Sequence, residues 1–467
     1  MAKEYALKVK KIKKVNTPFR KMVTPEFPVK QSVAIIEKLR KYEPRSMSGQ
    51  PLALWDHADG INVFDKYGNK WLDWSSGVLV TNAGHSNPEI KKAIIKQVNK
   101  GLLHNYCFPS ELRAILTEKI AKLAPAPLKK VFLLTTGAET TEAAVKLART
   151  YGAKEGGSDK ITIVSFSGAF HGRTMGAQMI GGSPDLKKWI VNLDKDMVQA
   201  PFPFCFRCPW GKDKYNNCDT ECFGKFINFL KEKNIDPKKN LAGVISETYQ
   251  GGNAMFMPKK FAQLLRSFCT ENNALLIFDE VQAGFGRTGK MFGFQHYDVV
   301  PDITCCGKGI SSSLPISAVI GRADVMDIYE PNTMTSTHTG NPVCAVAAIA
   351  SIDYIVKHKL TQNAAKVGKY LEKELMKIAA KYPSIIGHVS GKGLVYSLHI
   401  VKPGSKETNA DLAHDIVGKC VEKGLMVFAP VGTGSASFKI SPPLIATEAS
   451  IKDGIQAVDE AIAECLA

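Results

Sequence analysis

The run Leu275-Leu276-Ile277-Phe278-Asp279-Glu280-Val281-Gln282 decides how this chain folds. Four large apolar residues deliver a carboxylate, Asp279, to the end of a strand. A carboxylate there is costly to desolvate unless a cation lies close by.

Outward from it, short apolar runs recur between helical stretches: Val131 to Leu134, Ile161 to Phe166, Leu241 to Ser246 and Ile303 to Cys305. That alternation predicts an α/β fold with a mostly parallel sheet flanked by helices. Beyond Asn341 and Pro342 a long helical stretch runs to about Ala380. The strand Gly393 to Ile400, a helix near Ala410 to Lys423, a short strand and a closing helix follow, which predicts a smaller α/β domain. Ala53 to Trp74 alternates apolar and polar residues around Ala58-Asp59-Gly60 and Tyr67-Gly68-Asn69, the pattern of an antiparallel meander. The expected division is a basic arm over 1–50, a meander over 51–80 that packs with the small domain, a large domain over 81–340 and a small domain over 341–467.

In open α/β sheets ligands gather beyond the carboxyl ends of the strands, so the residues there are chemically selective. After Val131 to Leu134 comes Thr135-Thr136-Gly137-Ala138-Glu139-Thr140, a glycine turn opening a helix whose first backbone N–H groups suit a phosphate. After Ile303 to Cys305 comes Cys306-Gly307-Lys308-Gly309, where a lysine between glycines can present its amine to an aldehyde. A pyridinium nitrogen would be the cation that Asp279 needs. A phosphate turn, a strand-end aspartate and a strand-end lysine, in that order in one sheet, form the set a pyridoxal phosphate site requires.

With the further landmarks Gly84-His85, Phe170-His171-Gly172-Arg173-Thr174 and Thr339-Gly340-Asn341-Pro342, the chain from about Leu52 onward resembles the class III pyridoxal-phosphate aminotransferases, the ornithine, 4-aminobutyrate and ω-amino-group transaminases. The resemblance implies a fold type I transferase whose large domain carries a mostly parallel seven-stranded sheet. It implies that Lys308 forms the Schiff base, Asp279 pairs with the ring nitrogen and Gln282 bonds the ring hydroxyl. Phe170 and Val281 would flank the ring, His171 would belong to the cofactor site, and the backbone at Gly137 and Ala138 would hold phosphate. Thr337 sits where family members reach the partner subunit's phosphate, which implies a homodimer with shared sites or a higher assembly of dimers. Arg173 matches the position that takes a distal carboxylate, with Glu247 beside it as its expected partner.

Two positions depart from the family pattern. Where many relatives carry a switch glutamate, this chain reads Glu247-Thr248-Tyr249-Gln250-Gly251-Gly252. Where an arginine precedes Pro-Pro-Leu, it reads Lys439-Ile440-Ser441-Pro442-Pro443-Leu444. Lys439 can hold an α-carboxylate as a point charge or be an ordinary solvated lysine. The expected reaction moves an amino group from an ω-amino acid or amine to a 2-oxo acid; racemisation or epimerisation of an amino acid is the alternative.

The 467 residues carry a net charge of +17. Residues 1–42 hold 12 Lys and Arg against 3 Asp and Glu, so 12 − 3 = +9 of it is local. The arm has few aromatics and no nucleic-acid module, so a solvated or partner-gripping role is expected, with no nucleic acid and no membrane as partners. No secretory leader or spanning run is apparent, so the expected compartment is the cytoplasm. The insert Phe202 to Phe223 spaces Cys205, Cys208, Cys218 and Cys222 much as a structural zinc site does; thiols packed among aromatics are the competing reading, and no metal is assigned.

Overall fold

The apolar runs pair into one seven-stranded sheet in the computed structural model, which describes residues 3–211, 218 and 220–467. Its strands are β1 (Lys130–Leu134), β2 (Thr162–Phe166), β3 (Met197–Ala200), β4 (Leu241–Glu247), β5 (Leu275–Asp279), β6 (Ile303–Cys306) and β7 (Ser317–Gly321). They lie in the order β3-β2-β4-β5-β6-β7-β1. All neighbours are parallel except β7, which runs antiparallel to both β6 and β1. Register sets Glu247 beside Asp279 and Asp279 beside Cys305, so the ends of β4, β5 and β6 form one row.

Helix Gly137–Gly156 lies on this sheet through Ala143, Ala144, Leu147 and Ala148, which pack with Ile163, Ile245, Ile277 and Ile303. Small residues on the helix let its axis approach the strands, and each buried isoleucine contributes about 2 kcal/mol. Sequence reading misses two strands. Met-Val-Gln-Ala of β3 lies at the sheet edge and is half-buried, so it lacks a continuous apolar run. The core strand β7 is bounded by Ser317 and Gly321, which dilute the signal of its three apolar residues.

The chain separates into two compact units, one of residues 1–87, 252–254 and 359–467, the other of 88–251 and 255–358. The second holds the large sheet. It also takes helix Pro342–Lys357, which packs on helices Pro88–Lys100 and Glu111–Leu123, so the observed boundary falls after His358 rather than at the expected 340. One long helix was expected from Pro342; two are found. His358 and Lys359 break it, Lys359 adopts φ +51°, and helix Leu360–Lys381 begins afresh. Asn341 caps the first of these, its Oδ1 accepting from the amides of Val343 and Cys344, with Pro342 in the position where a missing N–H costs nothing.

In the other unit the expected meander is present as His57–Asp59, Asn62–Phe64 and Lys70–Asp73, the last also paired with Leu425–Met426. A three-stranded antiparallel sheet joins Ile386–Lys392, Val395–Ile400 and Ser437–Ile440. Of the basic arm, expected to be solvated or partner-gripping, parts pack within the chain itself. Val15–Asn16 and Lys21–Met22 extend the meander, and Tyr5 stacks on His414 with ring centroids 4.0 Å apart. Arg20 is buried: its Nε donates to Asp453 Oδ2 at 2.6 Å and its Nη1 to the Lys423 carbonyl at 2.9 Å.

Candidate active site

Four loops at the strand ends meet without room to spare. A Cβ on Gly137 would lie 2.7 Å from Val281 Cγ1, one on Gly172 would lie 2.6 Å from Ala138 Cβ, and one on Gly307 would lie 3.3 Å from Val281 Cγ1. The glycines therefore let the 137–138 turn, the 170–173 loop, the segment after β5 and the segment after β6 share one cradle. Thr141 Oγ1 donates to the His171 carbonyl at 2.7 Å and Ser317 Oγ to the Thr136 carbonyl at 2.9 Å, which fixes the turn from both sides.

At the turn, Thr136 caps helix Gly137–Gly156: its Oγ1 accepts from the Glu139 amide at 3.3 Å, and Glu139 Oε2 accepts from the Thr136 amide at 2.6 Å. This capping box leaves the amides of Gly137 and Ala138 at the positive end of a 20-residue helix with no intrahelical acceptor. The arrangement suits a phosphate.

Asp279 is buried at the end of β5. Its Oδ1 accepts from the Val281 amide at 3.0 Å and its Oδ2 meets His171 Nδ1 at 2.8 Å. Burial pushes the His171 imidazolium down, but the hydrogen bond and charge of Asp279, with Glu247 further off, outweigh it and hold the ring above its ordinary pKa. A carboxylate oriented on two sides still has lone pairs for one more N–H.

Lys308 stands just past β6 with φ +43°, a left-handed conformation that costs a non-glycine residue energy and is characteristic of functional sites. Gly307 before it is fully extended, and the turn aims a half-buried lysine from the strand end. Burial lowers its pKa, opposed by Asp279 and then Glu247, which favours a neutral amine. Phe170 keeps 44% of its surface exposed and carries the Arg173 guanidinium 5.4 Å above its ring. Val281 is half-buried beside Gly137. Gln282 lies next to the turn at Gly251, where an added Cβ would meet its Nε2 at 3.0 Å.

These residues fit pyridoxal phosphate: free helix amides for an anion, a fixed buried carboxylate for a ring N–H, a basic amine, and an exposed aromatic face. Seven of the expected positions, Gly137, Ala138, His171, Asp279, Val281, Gln282 and Lys308, lie on the converging loops, and Phe170 and Arg173 share one of them. Thr337 is not brought to them; it is exposed in a surface cleft with Glu139, Glu142 and Lys146.

The protein-family comparison matches residues 45–462 to the class III aminotransferases. The chain belongs to this family. It is 33% identical to the leucine/methionine racemase of Thermococcus litoralis, over 87% of this chain and 90% of that protein. It is 32% identical to a 5-aminovalerate aminotransferase of Pseudomonas putida, over 88% and 93%. Among solved structures, a PLP-bound amine transaminase from an uncultivated Pseudomonas species superposes with a TM-score of 0.83 at 26% identity, covering 91% of this chain and 97% of that one. This class III chain is thus an enzyme of the transaminase kind with the fold type I architecture, and its family implies pyridoxal phosphate as cofactor and amine and oxo-acid substrates.

Two expectations change, and the departure at Gly252 gains a physical reason. Glu247 does not pair with Arg173; its carboxylate accepts from the Phe170 and Gly251 amides, and among the described residues Arg173 forms no ion pair. Lys439 is not a solvated lysine: it is 1% exposed, inside strand Ser437–Ile440 and opposite Ser397. At Gly252 the switch side chain is excluded by space, since a Cβ there would lie 2.7 Å from Gly432 Cα. No sequence signal marked the Glu247 contacts or the Gly252–Gly432 approach, because both depend on which loops the fold brings together.

The described part of the cysteine insert packs aromatics against the large unit, while residues 212–217 and 219 lie outside the described residues. Cys205 opens a short turn, Cys222 lies in the first turn of helix Glu221–Glu232, and Phe226 of that helix sits 6.1 Å from both Phe166 and Phe261. Burial pushes the Cys222 thiol up to about 12, and the charges of Cys218, Cys205 and Cys208 add to it. Among the described residues no group of three or more His, Cys, Asp or Glu is arranged to hold a metal ion.

Proposed function

We propose that this protein moves an amino group from an ω-amino acid or amine to a 2-oxo acid, with Lys308 anchoring pyridoxal phosphate. The observation that carries the reading is Lys308 itself: a half-buried lysine of lowered pKa, on a left-handed residue, one strand from the His171–Asp279 pair. Pyridoxal phosphate, when bound, supplies an aldehyde that takes up amines and a ring that withdraws electrons from the adjoining carbon.

Gly137 and Ala138 hold the phosphate through their amides. Asp279 would face the ring nitrogen, and His171 and the Val281 amide prevent that carboxylate from turning away. Phe170 and Val281 would flank the ring, and Gln282 would bond its hydroxyl. Lys308 Nζ, whose pKa burial lowers, would move the proton at the donor carbon; positioned groups of this kind supply about 10²- to 10⁴-fold in rate. Arg173, stacked on Phe170 and without an ion pair among the described residues, receives a distal carboxylate with its planar fork. Lys439 takes an α-carboxylate as a point charge. Thr337 completes the phosphate seat of a second subunit in a cytoplasmic homodimer, and its exposure in this chain supports that reading.

The test is a panel of amines, including 5-aminovalerate and simple alkylamines, with pyruvate and 2-oxoglutarate. Wild type should convert at least one pair and Lys308→Ala none; turnover retained in Lys308→Ala would refute the assignment. Racemisation is the second reading, supported by the closed position at Gly252 and the 33% identity to a racemase. It predicts loss of optical activity with no oxo acid present.

A further inference from the structure

Glu247 is a buried acid that the reaction above leaves unused. It ends β4, is 7% exposed, and forms no ion pair among the described residues. Desolvating an unpaired carboxylate is costly, and a glutamine would fill the same space without charge. Its two oxygens account for the choice. Oε2 accepts from the Phe170 amide at 3.0 Å and Oε1 from the Gly251 amide at 2.7 Å. A glutamine has one acceptor oxygen and would turn an NH₂ toward the other amide, donor against donor.

The loop held this way is the one that carries the anion site. Its start is tied by Gly168 N to the Gly182 carbonyl at 2.9 Å, and its His171 carbonyl accepts from Thr141. Between them the Phe170 amide is fixed by Glu247, and the Phe170 ring supports the Arg173 guanidinium. We infer that Glu247 is a positioning residue for substrate binding, acting through Phe170 to set where Arg173 meets the distal carboxylate of the donor. This rests on the reading of Arg173 given above.

The charged groups facing Glu247 are His171 on the Phe170 loop, Asp279 on β5 and Lys308 beyond β6. Burial pushes its carboxyl up to about 7, with Asp279 adding and His171 and the two amides opposing. Protonation near neutral pH frees one amide, so the loop loosens as the pH falls.

The experiment compares 5-aminovalerate with pentylamine, the same chain without a carboxylate, in holoenzyme of wild type, Glu247→Gln, Arg173→Gln and the double variant. It also titrates pentanoate against the visible cofactor band, which reads binding without turnover. Glu247→Gln should raise the KM for 5-aminovalerate and the Kd for pentanoate about 10-fold, the worth of a charge-assisted hydrogen bond. Pentylamine kinetics should stay within about threefold, and the effect should vanish in the Arg173→Gln background, as coupled residues require. The rise of wild-type KM below neutral pH should be absent in Glu247→Gln. Equal losses with both donors, or additive effects in the double variant, would overturn the inference. If Glu247→Gln binds no cofactor, Phe170→Leu replaces it: loss of pentanoate affinity supports the Phe170 link and unchanged affinity refutes it. A wild type without a visible cofactor band would overturn the site assignment instead.

Discussion

Asp279 is held by two donors before any cofactor arrives, so its charge and its direction are separate properties. Asp279→Asn keeps the shape and removes the charge; kcat/KM should fall about 10²- to 10⁴-fold, the range for a group acting at the reacting atoms. His171→Phe should keep the charge and lose the direction, giving a smaller fall that double-mutant kinetics will show is not additive with Asp279→Asn. An additive pair would mean that His171 does not act through Asp279. Both residue types were legible in the sequence, since a carboxylate at the end of an apolar strand demands a partner. Their mutual bond was not, because His171 and Asp279 are 108 positions apart and only the parallel order β2-β4-β5 in the sheet unites the loops after β2 and β5.

The strand-to-turn junctions carry the chemistry at the next level. Gly137 opens a helix, where alanine would ordinarily be favoured, yet a Cβ there meets Val281 at 2.7 Å. Gly137→Ala should therefore destabilise the chain by about 1–3 kcal/mol through overpacking and weaken cofactor affinity, both measurable by thermal unfolding with and without pyridoxal phosphate. A neutral or stabilised variant would mean that Val281 has room to move. Five of the seven strands follow from apolar runs alone, because residues buried on both faces of a parallel sheet leave a continuous signal. β3 and β7 do not, since one is an edge strand and the other is framed by small residues. The helix break at Lys359 is equally silent in the sequence, where no glycine or proline marks it.

Across the whole molecule, two features tie stability to charge. Arg20 sits under the small unit with Asp453, so Arg20→Ala would leave a largely buried carboxylate alone and should cost about 3–5 kcal/mol in chemical denaturation. A loss under 1 kcal/mol would show the arm to be dispensable. Glu247 and Glu280 are both pushed up to about 7, first by burial. The folded chain then binds more protons than the unfolded one between pH 4.5 and about 7. Their contribution is full below pH 4.5 and is lost as pH rises toward 7, so the cofactor-free chain should lose stability over that window. Glu280→Gln should flatten the slope, and an unchanged slope would place the proton uptake elsewhere.

The contact between Gly252 and Gly432 limits what substitution can do there. A side chain at 252 strikes the Gly432 backbone, and one at 432 strikes Asn253 Oδ1 at 2.3 Å, while Asn253 also grips Thr433 and Ser437. Neither glycine can change first without a penalty from the other. An acidic side chain cannot enter at 252 by one substitution alone; the 431–437 loop must recoil in the same step, so single substitutions leave this part of the molecule closed to a new charge.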